Sequence, residues 1–422
     1  MSSFLPRHLS TELEEALASA RVVNVVGPRQ AGKTTLVRDI FQNGRFVTLD
    51  DQEILEALES DPLGQLESLV DGLKDRPLIV DEAQRSKKLA LAIKKIVDQS
   101  RRAGQFVLTG SSNVFTTLDV ADSLAGRMRT LKLWPLSVAE VKRKPPSRLL
   151  DWAISREPRL SDLAKPVPLD RDGYIDLITR GGYPEIRNLP TPQRNRLYRD
   201  YVDAIVDRDV ADILRIRKTD TLRRLIDQLA VRTACEINVV ELAELIRVQR
   251  QTLDQYLDIL VRLSIVVRLG AWTSGEARRE IKNAKHHFVD TGIACSLRSL
   301  SPESFKPIAG QSALGGLLES FVFAELLRSA PYQESECRFY HWRGDHGREV
   351  DILAEAASRL VLFEVKASKT VAYQDFKNLH WFAKSGLGSK RTTTGIVFYL
   401  GKEMLTFGNR MFALPVASLW AG

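Results

Sequence analysis

Cysteine is scarce: Cys235, Cys295 and Cys337 are the only three in 422 residues, far apart and odd in number. That excludes a disulfide framework and a CxxC metal clip, and a reducing, cytoplasmic setting is expected. The histidines lack companions at ligand spacing, so His286 with His287, and His341 with His346, are read as solvated or hydrogen-bonded rather than as zinc ligands. Long apolar runs are missing too. No stretch approaches the ~20 residues of a membrane helix, and the start MSSFLPRHLSTELEEAL has no apolar leader core, so a soluble, unprocessed chain with no membrane partner is expected. Internal repeats and low-complexity tracts are absent, which leaves a globular, multidomain chain.

Hydrophobic residues make up 44% of the sequence, ample for packed cores, and its length suggests about three domains at roughly 150 residues each. Lysine and arginine number 61 against 53 acidic residues, a formal +8 with a pI near 9.3. Such an excess is compatible with a polyanionic partner such as nucleic acid.

Residues 22–134 alternate short apolar runs (VVNVV, FVTL, PLIVD, FVLTG, MRTLKLW) with helical patterns, the sign of a parallel sheet covered on both faces. This defines an α/β domain over residues 1–140. A Pro-rich, basic break at Lys142–Pro168 opens a linker and helical segment, 141–225, and helical patterns run from Ile175 to Leu263. A two-helix module follows at 226–275. Then VVRLGAW, HHFVD, RFYHWR, EVDIL and LVLFEVKA read as strands, with helices at Leu314–Ser329 and Gln374–Ala383, a second α/β unit over 276–422.

Gly27-Pro-Arg-Gln-Ala-Gly32-Lys33-Thr34-Thr35 fits GxxxxGK followed by Ser or Thr, directly after the strand VVNVV and before the helix TTLVRDIF. The glycines let the backbone curl so that its N–H groups and a helix N-terminus face phosphate. Lys33 then neutralises the β/γ-phosphates of ATP and Thr34 offers its hydroxyl to Mg²⁺. In PLIVDEAQ, four apolar residues deliver Asp81 to the strand's C-terminal edge as the metal-side carboxylate, and Glu82 beside it as the base that polarises attacking water. An acidic helix cap is the plainer reading of both. Thr109-Gly-Ser111-Ser112-Asn113 places small polar groups where a γ-phosphate sensor would sit. Arg127 and Arg129 lie at the start of the fifth strand, where either would act as an arginine finger across a subunit boundary, or stay solvated.

With GPRQAGKTT, IVDEAQ, LTGSS, SLAGR, GGYPE (Gly181–Glu185) and EVD…FEVK in view, the chain resembles the prokaryotic AAA+ ATP-binding proteins that carry a C-terminal domain of unknown function. The resemblance implies an AAA+ first domain. It also implies Lys33, Thr34, Asp81 and Glu82 in nucleotide binding and hydrolysis, with Ser111 or Asn113 and Arg127 as further candidates.

Glu236 to Ile246 and Val248 to Leu260 have the pattern of a helix-turn-helix, with VVRLGAW as a wing. Arg247, Gln249, Arg250, Gln251 and Thr252 are types that meet bases or phosphates, while Asp254 and Asp258 oppose that reading; a fold used only for packing is the alternative. Arg215, Arg217, Lys218, Arg223 and Arg224 add a basic run.

In REVDIL and LVLFEVKAS, strand period puts Glu349 with Asp351 on one face, and Glu364 with Lys366 on one face of the next strand. Asp351 and Glu364 are candidates to hold Mg²⁺ while Lys366 orients the water that attacks a phosphodiester. The pattern resembles the restriction-endonuclease-like D…ExK fold, with Glu319 on the preceding helix as its extra acidic residue. An inactive relic of that fold, or a surface hairpin, is the alternative. The sequence thus predicts a cytoplasmic Mg²⁺-dependent AAA+ ATPase coupled to nucleic-acid, chiefly DNA, binding, with cleavage by the C-terminal domain and homo-oligomer formation open. Its rival is an ATP-dependent switch or scaffold that binds protein.

Overall fold

The computed structural model describes residues 5–110, 124–210, 219–274, 283–306, 309–388 and 391–421. The chain packs as two compact units, Met1–Leu136 with Arg262–Ser264, and Ser137–Val261 with Ile265–Gly422.

The first unit is built on a five-stranded sheet of β1 (Val22–Val26), β2 (Arg45–Thr48), β3 (Leu78–Asp81), β4 (Phe106–Gly110) and β5 (Met128–Lys132) in the order β2-β3-β4-β1-β5. Every pairing is parallel. Parallel strands covered on both faces must be apolar throughout, and β1, β3 and β4 are buried at each position. On one face, α1 (Leu9–Ser19) and α2 (Lys33–Ile40) bring Leu9, Leu13, Leu36 and Val37 onto Val23, Val25 and Ile79. On the other, α3 (Gln52–Ser60), α4 (Pro62–Val70) and α5 (Leu89–Ser100) bring Leu58, Leu66, Ile93 and Val97 onto Val22, Leu78, Val80 and Leu108. Asp51 and Asp61 start α3 and α4 by accepting backbone N–H groups of the first turn. Because β4 lies between β1 and β3, the glycine-rich loop after β1 and the carboxylate ending β3 flank the end of β4.

The second unit begins with short helices α6 (Val138–Val141) and α7 (Leu149–Ile154), then α8 (Arg171–Arg180), α9 (Thr191–Ala204), α10 (Thr219–Val231), α11 (Val239–Ile246) and α12 (Arg250–Arg262). The helical reading of Ile175–Leu263 therefore resolves into separate helices. The Gly181-Gly182-Tyr183 run proves to be architectural. Gly181, at φ +67°, ends α8, and a Cβ there would stand 1.9 Å from the Asp290 carboxylate. Asp290, 1% exposed, accepts the N–H groups of Gly182 at 2.6 Å and Gly292 at 2.9 Å and lies 3.6 Å from Arg328, joining α8 to α13 (Thr291–Leu297) and α14 (Ala309–Ser329).

The five strands expected in this half divide between two sheets. β6 (Val266–Leu269) and β7 (Lys285–Phe288) pair antiparallel, with Glu236 bridged to Lys285 on the far side of β7. β8 (Arg338–Arg343), β9 (Glu349–Ala356) and β10 (Arg359–Lys366) join β11 (Thr392–Tyr399), β12 (Leu405–Thr406) and β13 (Met411–Pro415) in the order β12-β13-β11-β10-β9-β8. β10 runs antiparallel to β9 and parallel to β11. α14 packs along β10, while Phe376 with Leu379 and Phe382 of α15 (Lys377–Lys384) closes a core of Trp272, Trp342, Leu353, Leu362 and Val397. Among the described residues no helix is long and apolar enough to cross a membrane.

Candidate functional site

At Gly27 (φ +154°) an added Cβ would sit 2.1 Å from the Leu133 carbonyl oxygen, so the loop can follow this path only with glycine. Gly32 (φ +95°) then turns the chain into α2, whose first residue is Lys33. The Lys33 side chain is 6% exposed and folds back on the loop, donating to the carbonyls of Gly27 at 3.0 Å and Pro28 at 2.8 Å. Burial pulls its pKa down to about 8 against the opposing fields of Glu82 and Asp81, with Arg29 adding to the fall. Thr34 donates its hydroxyl to both oxygens of Asp81 at 3.1 Å, and Thr35 is exposed in the first turn. The loop and the acidic strand thus meet at one point.

Glu82 takes a left-handed conformation (φ 55°) immediately after β3, and its carboxylate accepts the side-chain amide of Gln84. Two further residues support this point, and only the first lies in a segment that the sequence singled out. Thr109, fully buried at the end of β4, also donates its hydroxyl to Asp81. Arg7, 7% exposed, donates to the Ala31 carbonyl at 2.7 Å and to the Trp134 carbonyl at 2.6 Å, bracing the loop against the segment that follows β5. The FVLTG context hints at Thr109; nothing local signals Arg7.

Arg127 precedes β5, whose first residue Met128 pairs with Val22 at the start of β1, whereas the loop leaves the other end of β1. At about 3.3 Å per residue, Arg127 stands a full strand length, about 16 Å, from the loop of its own chain. It holds Asp98 with a two-pronged contact of 2.5 and 2.9 Å, and Arg129 lies 3.4 Å from Glu12. Ser111, Ser112 and Asn113 lie outside the described residues.

In the second unit, Asp351 and Glu364 each stand one residue past the last β9–β10 ladder pair, Ile352–Phe363, and so share one end of the hairpin. Asp351 accepts the Val365 N–H at 2.8 Å, and Lys366 lies 2.7 Å from Glu364. Between Glu319, Glu349 and Asp351 sits an ammonium group that the sequence reading did not assign to this centre. Lys285 of β7, its side chain 2% exposed, lies 2.9 Å from Glu319, 2.7 Å from Glu349 and 3.8 Å from Asp351. Burial would lower the Lys285 pKa, but Glu319, Asp351 and Glu349 together hold it far above its ordinary value. Four carboxylates face two ammonium groups, so burial and mutual repulsion push Glu319 well up and Glu364 to about 8.

Of the two states expected for the histidines, solvated or hydrogen-bonded, His287 and His341 take the second, and His286, His287 and His341 are all buried because β7 and β8 carry them into the packed interior. His287 shares a 3.1 Å hydrogen bond with Ser320, and burial pulls His286 down to about 4. Arg247 ends α11 in a left-handed turn, and Arg247, Gln249, Arg250 and Gln251 are exposed at the approach to α12, with Asp254 3.9 Å from Arg250. Arg223 is engaged by Asp203 at 2.9 Å and Asp207 at 2.5 Å, while Arg215, Arg217 and Lys218 lie outside the described residues.

Three family models match in succession: an AAA domain over residues 19–142, a domain of unknown function (DUF8612) over 171–304, and a domain of unknown function (DUF4143) over 314–419. The chain is 28% identical over 414 residues to the Mycobacterium tuberculosis uncharacterized protein Rv2008c, covering 97% of this chain and 83% of that one. It is 24% identical over 358 residues to the Methanocaldococcus jannaschii uncharacterized protein MJ1544, covering 82% and 74%. Among solved structures, the Walker-type ATPase paby2304 of Pyrococcus abyssi aligns with 70% of this chain and 96% of its own, at 15% identity and a TM-score of 0.42. The glycine loop, the parallel sheet and the matched model agree: the first unit is an AAA-type domain of P-loop ATPase class.

Proposed function

We propose that this chain binds ATP with Mg²⁺ at the loop Gly27–Thr35 and hydrolyses it. The observation that carries this reading is the meeting of Thr34 with Asp81 beside a buried lysine whose hydrogen bonds among the described residues go to loop carbonyls. The backbone from Gly27 to Gly32 and the start of α2 bind phosphate, Lys33 binds the β/γ oxygens, and Thr35 contributes at the first turn. Thr34 and Asp81 are the residues for Mg²⁺, which when bound offsets charge developing on the phosphates. Glu82, oriented by Gln84, accepts the proton of the attacking water. Arg127 reaches a phosphate only from a neighbouring copy, after release from Asp98, so its role requires assembly of at least two chains. Lys33→Ala should weaken ATP binding by roughly a hundredfold or more, and Glu82→Gln should slow turnover by about 10²–10⁴-fold while ATP is still held. Unchanged turnover in both variants would end the proposal.

The second unit supports coupling to nucleic acid. α11, α12 and the β6–β7 pair have the succession of a winged helix, and its exposed Arg247, Gln249, Arg250 and Gln251 offer donors for phosphate and base edges. In this reading the ATP cycle alters how that surface engages DNA. Arg247→Ala with Arg250→Ala should weaken DNA binding and flatten its salt dependence; salt-insensitive binding would refute it. Catalysis by Asp351, Glu364 and Lys366 is the finer step, and the ammonium of Lys285 among their neighbours favours the rival reading of a C-terminal domain that does not cleave.

A further inference from the structure

A divalent ion held by Asp351 and Glu364 needs carboxylate oxygens converging at ~2.0–2.6 Å. The residues present do not fit one in this conformation. Among the described residues no group of three or more His, Cys, Asp or Glu side chains is arranged to hold a metal. Instead, three of the carboxylates converge on Lys285, and one Asp351 oxygen is committed to the Val365 N–H. The lysine is not a surface residue that has swung in. It is fixed by β-pairing on both sides, to Leu269 and to Glu236, and its side chain is 2% exposed. Four carboxyl groups share this end of the hairpin with two ammonium groups, and Glu364, 8% exposed, keeps Oε2 buried with no hydrogen-bond partner among the described residues.

We infer that Lys285 is a built-in substitute for the divalent cation: it fills the cation position of the C-terminal cluster, ties β7 to α14 and β9, and keeps metal out. The inference rests on the reading of this domain as one that does not cleave. Removing the ammonium while leaving the carboxylates should uncover a metal site, because the unmatched charge then rises and Glu364 still offers its free oxygen.

The test is Mn²⁺ binding followed by electron paramagnetic resonance on the full chain without nucleotide. Wild type and Asp351→Asn should bind Mn²⁺ alike. Lys285→Met should gain one site at least about tenfold tighter than any in wild type, and adding Asp351→Asn should abolish it. Loss of wild-type Mn²⁺ binding on Asp351→Asn overturns the inference, as does a folded Lys285→Met or Lys285→Gln chain that gains no site. Should neither lysine variant fold, the comparison of wild type with Asp351→Asn decides alone. The two ideas fail separately: Mn²⁺ held at the cluster without cleavage refutes the substitution by lysine only, whereas nucleic-acid cleavage in chelator refutes the silent-domain reading only.

Discussion

Both units place acidic residues at the end of a strand beside a buried lysine, yet the lysines are in opposite states. Lys33 has two backbone carbonyls for partners, and Asp81 is held by the hydroxyls of Thr34 and Thr109. Lys285 has three carboxylates within 4 Å, as close as 2.7 Å. A buried charge whose partners are neutral is poised for an incoming ion, whereas one already ringed by opposite charge is part of the framework. On the readings proposed above, the same residue types thus serve a binding centre in one unit and a structural lock in the other.

That contrast is broken most directly through stability. Lys285→Met strands three partly buried carboxylates and should cost up to about 3–5 kcal/mol, whereas Lys33→Met removes a buried ammonium that no carboxylate among the described residues pairs and should leave the melting curve nearly unchanged or raised. Denaturant unfolding of the two variants side by side reads the difference; equal losses would erase the distinction. A smaller effect sharpens it through pH. Burial holds Lys33 at about 8, and phosphate favours its charged form, so binding takes up a proton above that value. ATP affinity should be flat below about pH 8 and fall by up to about tenfold per unit above it, as titration with a fluorescent ATP analogue would show. The smallest effect concerns Arg7. Arg7→Met leaves the Ala31 and Trp134 carbonyls unbraced and should raise the KM for ATP several-fold, about 0.5–1.5 kcal/mol, with kcat little altered.

What was legible in the sequence follows the range over which each feature is encoded. The glycine loop is nine consecutive residues whose spacing sets the backbone path, and the apolar run before Asp81 sets where that carboxylate emerges. Both lie within single elements. The contact of Thr109 with Asp81 depends on β4 lying between β1 and β3, an order that strand patterns do not state. Arg7 reaches residues 24 and 127 positions away. Lys285 carries no local signal in the sequence, and the packing of β7 against α14 reveals its charge partners. Arg127 was singled out by its place before β5, but its pairing with Asp98 is a tertiary contact. The paired charges Glu349/Asp351 and Glu364/Lys366 at alternate positions marked β9 and β10, whereas β11 and β13, buried nearly throughout, carry no such marks.

The grip of Thr109 on Asp81 has a mechanical corollary. β4 ends beside the glycine loop, and the hydroxyl at its tip is fastened to the carboxylate opposite Thr34. A displacement of the β4 tip therefore moves the same carboxylate that Thr34 holds, and the strand end and the start of α2 share one anchor.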